Sequence, residues 1–281
     1  MRASKFTMLR QKAVSVRARP LVTRVFIAAV AAAVMATLAL LFRFDLPLIS
    51  VCKHLPAWAV RMGKFLNHFG NGYNIFVPLA ALIALFACTA RMKLSRAAHA
   101  VITATAVRVI YLLAAIGIPS LVSTGAKWMF GRVRPKLEAQ AGSLHFDYFH
   151  WTMNGIGLSF PSGHTTVAFS AAFALGALAP ALRFPLFALA SLVGIARVVL
   201  GAHYPSDVVA GAICGTVVAA LVSRCFARQR LGFAVTAEGA IRPKSWPGLG
   251  RFVALAKAQR SRLRGRPLAP ASTLARIAEP I

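Results

Sequence analysis

Acidic side chains are nearly missing from this chain, in which 281 residues carry 6 Asp and Glu against 33 Lys and Arg. The six are Asp45, Glu138, Asp147, Asp207, Glu238 and Glu279. So small a supply argues against two-metal hydrolysis, which needs several convergent carboxylates or histidines to hold its ions. No metal site and no cofactor is therefore expected. No G-x-x-x-x-G-K-[ST] loop exists to cradle nucleotide phosphates. The 4 cysteines, Cys52, Cys88, Cys214 and Cys225, show no C-x-x-C spacing, and three lie in or beside apolar runs where a thiol acts as a small apolar filler. No internal repeat is evident either.

Charge of either sign is also missing from long stretches. Hydrophobic residues make up 58% of the chain and the mean hydropathy is +0.67, outside the range of soluble domains. Uncharged runs fall at 25–42, 74–90, 109–126, 165–182, 184–196 and 208–223. The longer ones approach the roughly 20 residues that cross the hydrocarbon layer as a helix. The run 184–196 is short, and becomes a span only if Arg197 to Leu200 extend it with Arg197 facing protein rather than lipid. The expected fold is all-α, a polytopic membrane bundle of six transmembrane helices. Its organisation is a basic cytoplasmic segment 1–24, a membrane domain 25–226, and a basic cytoplasmic tail 227–281 without fixed structure.

What is abundant is positive charge, a net +27. By our tally roughly 24 Lys and Arg lie on the face shared by both termini and about 9 on the other, which places both termini inside. The N-terminal segment carries Arg2, Lys5, Arg10, Lys12, Arg17, Arg19 and Arg24 with no acid, yet no small-residue cleavage pattern follows Phe42, so the first helix reads as retained. The excess sits in the terminal segments, including Arg260, Arg262, Arg264 and Arg266, where it orients the protein and attracts anionic lipid head groups. No nucleic-acid partner is expected from that distribution. On the outer side Leu55, Trp58, Met62, Phe65 and Phe69 recur at helical spacing between Lys53, Arg61, Lys64 and Asn67. This fits a helix lying in the interface or one packed on the bundle.

Three polar clusters stand at the outer ends of the later spans. Lys127 and Arg134 are seven positions apart, about two helical turns, so both reach one anion if the segment stays helical. Arg132 and Lys136 beside them read as snorkelling anchors. Phe160-Pro161-Ser162-Gly163-His164 opens the fourth span, where Pro and Ser followed by Gly leave free backbone N–H groups and the positive end of the helix dipole facing outward. Ser162 also suits an N-cap, but a cap does not account for His164 at a membrane entrance, where an ionisable group is costly without a role. The third cluster is Arg197, His203 and Asp207. The His and Asp are four apart, Pro205 places a helix start between them, and Asp207 reads as the only acid near any span. An Asp beside a His fixes its tautomer and leaves the other nitrogen free as a nucleophile.

These residues resemble the type 2 phosphatidic acid phosphatase (PAP2) superfamily, whose motifs read K-x6-R-P, P-S-G-H and S-R-x5-H-x3-D. Here they are Lys127 to Pro135, Pro161 to His164, and Arg197, His203 and Asp207, within roughly residues 100 to 225. Ala196 stands where the family has serine, which removes one hydroxyl beside Arg197. The resemblance implies a bacterial-type membrane lipid phosphatase with a PAP2/acid-phosphatase-like core. By motif matching, His203 is the nucleophile, Asp207 orients it and His164 protonates the leaving oxygen. Lys127, Arg134, Arg197, Ser162 and the Gly163 backbone hold the phosphate. Three cations and a helix start can neutralise a transferring phosphoryl group without magnesium. The expected substrate is a lipid phosphate, ranked as lipid A, a polyprenyl diphosphate such as the undecaprenyl carrier, then a phosphatidyl phosphate. Trp128, Tyr148, Phe149 and Trp151 suit an interfacial mouth on the periplasmic face of the inner membrane. A phosphotransferase using the same site, or a nonenzymatic lipid phosphate transporter, stands as the alternative.

Overall fold

The computed structural model describes residues 20–89, 92, 94, 96–137, 144–149, 158–236 and 240–245. The basic segment before Pro20, Arg91, Lys93, Glu138, Trp151 and the tail beyond Ser245 lie outside the described residues. Its elements are α1 (Pro20–Lys53), α2 (Ala57–Asn67), α3 (Gly72–Thr89), α4 (Arg96–Phe130), α5 (Gly163–Leu178), α6 (Arg183–Val199) and α7 (Pro205–Arg228), followed by a hairpin of β1 (Phe233–Val235) and β2 (Ile241–Pro243).

Among the described residues five stretches are long and apolar enough to cross a membrane: Val34–Lys53, Ala57–Thr89, Ala98–Phe130, Pro180–Val199 and Pro205–Arg228. The fourth run expected as a span, 165–182, forms α5, which at 16 residues is the shortest of the apolar helices. It reaches only about 24 Å at 1.5 Å per residue. The doubtful fifth run is extended as required, with α6 continuing through Arg197 to Val199 and the Arg197 side chain buried.

Large apolar side chains are widely exposed, among them Met35, Leu85, Leu121 and Phe184. In water such a surface is a liability, whereas hydrocarbon covers it without penalty. Helices in that solvent gain little from burying more Leu, so contact comes from close approach of small residues. Here α5 sits centrally against α4, α6 and α7. Its neighbours meet it with Ala190, Gly194, Gly211 and Gly215. A Cβ at Gly215 would stand 2.5 Å from the Thr166 carbonyl oxygen, and one at Gly211 would stand 2.6 Å from that of Ser162. These glycines therefore set how near α7 comes to the start of α5.

Two expectations about boundaries are corrected. The first helix does not end near Phe42. It runs to Lys53, because the residues after Arg43 keep their apolar face and Pro47 does not break the helix. At the other end, the folded region does not stop at 226. The hairpin docks on the bundle through Phe233, which is fully buried against Tyr111 and Ala227. The Tyr111 and Phe233 ring centroids lie 4.8 Å apart, and Arg108 donates to the Lys244 carbonyl at 2.8 Å. One buried aromatic and two backbone acceptors order this segment despite its basic composition.

Helix α2 combines both readings open for it. Gly63 rests on Val199 and Leu200 at the end of α6. Trp58, Met62 and Phe65 are exposed, an apolar stripe left for the membrane interface.

Candidate active site

The site lies at the opposite end of the bundle from the hairpin. Tyr111 and Lys127 are both on α4, so about 24 Å of helix separates the two ends. Gly131 terminates α4 in the left-handed region at φ 55°, and a Cβ there would fall 1.8 Å from the Asp147 carbonyl oxygen. Only glycine fits that position. The premise that 127–134 stays helical is thus wrong. Instead the chain after Gly131 runs beside 145–147, with the Val133 N–H donating to His145 and the Asp147 N–H to Gly131.

Lys127 nevertheless reaches the start of α5. Its Cε would lie 3.6 Å from a Cβ on Gly163, and its Nζ donates to the Leu158 carbonyl at 2.8 Å. Arg197, His203, Lys127 and Arg134 lie close enough to His164 for their charges to act on it, so residues of all three motifs come together at this end. Arg134 and Arg197 each keep a buried Nε with no hydrogen-bond partner among the described residues. Burial lowers Arg134 from its ordinary value, while the Asp207 charge opposes that.

Ser162 precedes α5 but makes no cap bond. Its hydroxyl accepts from Thr165 at 2.9 Å, and its backbone N–H donates to the Asp207 carbonyl at 2.9 Å. The second bond ties the phosphate-loop sequence directly to α7.

Helix α7 starts at Pro205 as the sequence implied, and Asp207 caps it by accepting the Tyr204 N–H at 2.9 Å on Oδ2. A carboxylate in a first turn is favoured by the helix dipole. The same Oδ2 accepts the Ser159 hydroxyl at 2.5 Å and lies 3.7 Å from Nδ1 of His203. That last distance is too long for a hydrogen bond but close enough for strong electrostatic coupling. Burial pushes His203 down to about 4, with Asp207 pulling the other way. The ring is therefore neutral near pH 7.

Several participants were not found from the sequence. Asp45, on α1, is fully buried, which corrects the reading of Asp207 as the only acid near a span. Arg132 is no snorkelling anchor, because its guanidinium is fully buried and spans Asp45 and Asp207. Its NH1 donates to Asp207 Oδ1 at 2.7 Å and Ser206 Oγ at 2.6 Å, and its NH2 donates to Asp45 Oδ2 at 2.8 Å. Asn67 accepts a hydrogen bond from Arg197 through Oδ1, where Ala196 offers no hydroxyl. The Ser159 sidechain joins Asp207 from a segment that carries no motif. Among the described residues no three His, Cys, Asp or Glu side chains converge to hold a metal ion.

A groove of about 350 Å³ runs beside this end of the bundle, lined by Phe69, Ile75, Ala168, Leu186 and Val193. Its nearest approach to the cluster along α5 is Ala168, one helical turn beyond His164.

The chain is similar to known proteins. The PAP2 superfamily profile matches residues 108–231. The lipid A 1-phosphatase of Rhizobium johnstonii is 35% identical over 208 residues, covering 73% of this chain and 80% of that protein. That of Rhizobium etli is 33% identical over 208 residues, covering 73% and 84%. Among solved structures, LpxE of Aquifex aeolicus is similar at 23% identity and a TM-score of 0.45, covering 64% of this chain and 94% of that one. By its profile match and by these two relatives, of which it covers 80% and 84%, the chain belongs to the PAP2 superfamily, as a membrane-embedded phosphatase of phosphoric esters.

Proposed function

We propose that the protein hydrolyses the phosphate of a membrane lipid at the periplasmic face of the inner membrane, through a phosphohistidine on His203 and without a metal. The observation that carries the reading is the pair of buried Nε donors on Arg134 and Arg197, which no described residue satisfies, on two guanidinium groups close enough to Lys127 for their charges to act on it. Buried guanidinium donors are costly without an acceptor, and a phosphate supplies three.

With Nδ1 turned to Asp207, the Nε2 of His203 attacks phosphorus and the bond to the lipid oxygen breaks. His164 gives that oxygen its proton. Lys127, Arg134 and Arg197, with the Ser162 hydroxyl and the Gly163 N–H at the start of α5, neutralise the equatorial oxygens. Water then attacks phosphorus, its proton passes to His164, and the P–N bond breaks to release inorganic phosphate.

Lipid A stands first among substrates because both long matches are to lipid A 1-phosphatases. The apolar groove that begins one turn along α5 from His164 is suited to an acyl chain of such a lipid. Six spans, with α5 as a short sixth enclosed by the others, place both basic termini in the cytoplasm against anionic head groups.

The test is phosphate release by the purified chain in detergent, in excess chelator, from lipid A, undecaprenyl diphosphate and phosphatidate at equal surface concentration. Lipid A is expected to turn over fastest. Loss of activity in chelator that a divalent ion restores would overturn the metal-free mechanism.

A further inference from the structure

Asp45 and Arg132 belong to no motif, yet they form the most deeply buried charged group in the molecule's described part. Both side chains have no exposure, and Arg132 bridges two carboxylates that come from α1 and α7. Ser206 satisfies the rest of Asp45, its N–H donating to Oδ1 at 2.9 Å and its hydroxyl to Oδ2, the oxygen Arg132 also takes, at 2.5 Å. The guanidinium plane is boxed by rings, its Cζ lying 4.1 Å from the Tyr204 centroid, 4.9 Å from Phe42 and 5.6 Å from Phe146. A buried ion group of this kind is a weak source of stability, since desolvation offsets much of the attraction. What a planar fork held on three sides does supply is fixed geometry.

The geometry bears on one atom. Arg132 takes Oδ1 of Asp207, so the carboxylate can turn only Oδ2 toward Ser159, the Tyr204 N–H and His203. We propose that Asp45 and Arg132 are positioning residues for phosphoryl transfer, clamping Oδ1 of Asp207 so that Oδ2 faces Nδ1 of His203. The inference rests on the proposed role of His203. It explains why an arginine sits inside the six-residue spacer of the first motif and why an acid is retained in the first helix.

The charged and titratable groups that reach Asp207 and His203 are Arg132, Lys127, Arg134, Arg197 and His164, and Asp45 reaches them through Arg132. Asp45→Asn leaves Arg132 wholly on Asp207, drawing charge away from His203. Arg132→Gln leaves Asp207, beside His203, without the cation bound to its Oδ1. The two substitutions therefore move the acid limb of the kcat profile in opposite directions, Asp45→Asn downward and Arg132→Gln upward in pH.

The experiment measures phosphate release from lipid A micelles by the full chain and these two variants, together with Arg132→Lys and His203→Ala, per folded molecule. Each clamp variant is expected to lose roughly 10- to 100-fold in kcat, as for a lost hydrogen bond to a charged group, with KM within about twofold. Lower thermal stability with unchanged kcat and an unmoved acid limb would overturn the proposal. Should Arg132→Gln not fold, Asp45→Asn and Arg132→Lys decide it, since lysine keeps the charge but not the fork, and wild-type kcat in both defeats the clamp. If His203→Ala stays active, the underlying reading fails; if it is dead while both clamp residues are dispensable, only the positioning inference fails.

Discussion

Nδ1 of His203 and Oδ2 of Asp207 stand 3.7 Å apart, and the hydroxyl of Ser159 lies 2.5 Å from that oxygen and 3.4 Å from that nitrogen. The serine thus braces the pair from a segment between the first and second motifs. Removing a hydrogen bond to a charged group costs about 1.5 to 3 kcal/mol, or roughly 10- to 100-fold in rate. Ser159→Ala should therefore lower kcat by about that range with little effect on KM. Steady-state kinetics on the lipid substrate checks it, and an unchanged kcat removes Ser159 from the account.

Gly211 faces the Ser162 carbonyl so closely that a Cβ would sit 2.6 Å away. Backbone cannot yield as a side-chain tip does, so Gly211→Ala should push α5 from α7 and separate His164 from His203. Overpacking of this kind costs about 1 to 3 kcal/mol. The substitution is expected to lower both thermal stability and kcat. At Gly125, where added bulk meets nothing within 4 Å, alanine should do neither.

Burial holds His203 at about 4, below the ordinary imidazole value of 6.5. The free base is the nucleophile, so the acid limb of kcat/KM that belongs to this group, which reports the free enzyme, should lie near pH 4, and a limb near 6.5 contradicts the assignment. The sign for stability follows from the same depression. The contribution is present above the unfolded value of 6.5 and is lost as pH falls through the folded value of about 4. His203→Gln should flatten that part of the melting temperature against pH.

Phe233 lies fully buried on Tyr111 at the end of the bundle away from the site. Phe233→Ala should cost about 3 kcal/mol of stability, the usual scale for a buried ring, with kcat per folded molecule preserved. Ending the chain after Arg230 removes this plug and should destabilise the protein, whereas ending it after Ser245 should leave activity and melting temperature near those of the full chain. Equal stability of the two truncations would show that the hairpin contributes nothing.

What could be read from the sequence followed from local rules. Uncharged runs marked the apolar helices, and the extension of α6 through Arg197 followed from asking which way a charged side chain must face. Pro205 marked the start of α7 because proline tolerates the first helical turn. Residues paired by tertiary contact were less visible. Asp45 and Arg132 are 87 positions apart, and nothing in the neighbourhood of either announces the other. Arg132 beside Arg134 and Lys136 looked like one more interfacial cation, and its inward turn depends on the left-handed conformation of Gly131. The hairpin was hidden by composition, since its basic surroundings outweighed a single Phe. One available signal was the acid count: with so few carboxylates in the chain, each one near a span warranted a partner, Asp45 included.

The central claim is that phosphate passes through His203. The direct measurement is rapid quench at alkaline pH of the full chain turning over a lipid substrate labelled on its phosphate, followed by peptide mapping. The account predicts an acid-labile, base-stable label on the peptide containing His203, formed and lost at rates compatible with turnover and missing from His203→Ala. Wild-type turnover by His203→Ala, or label found on His164 instead, contradicts it.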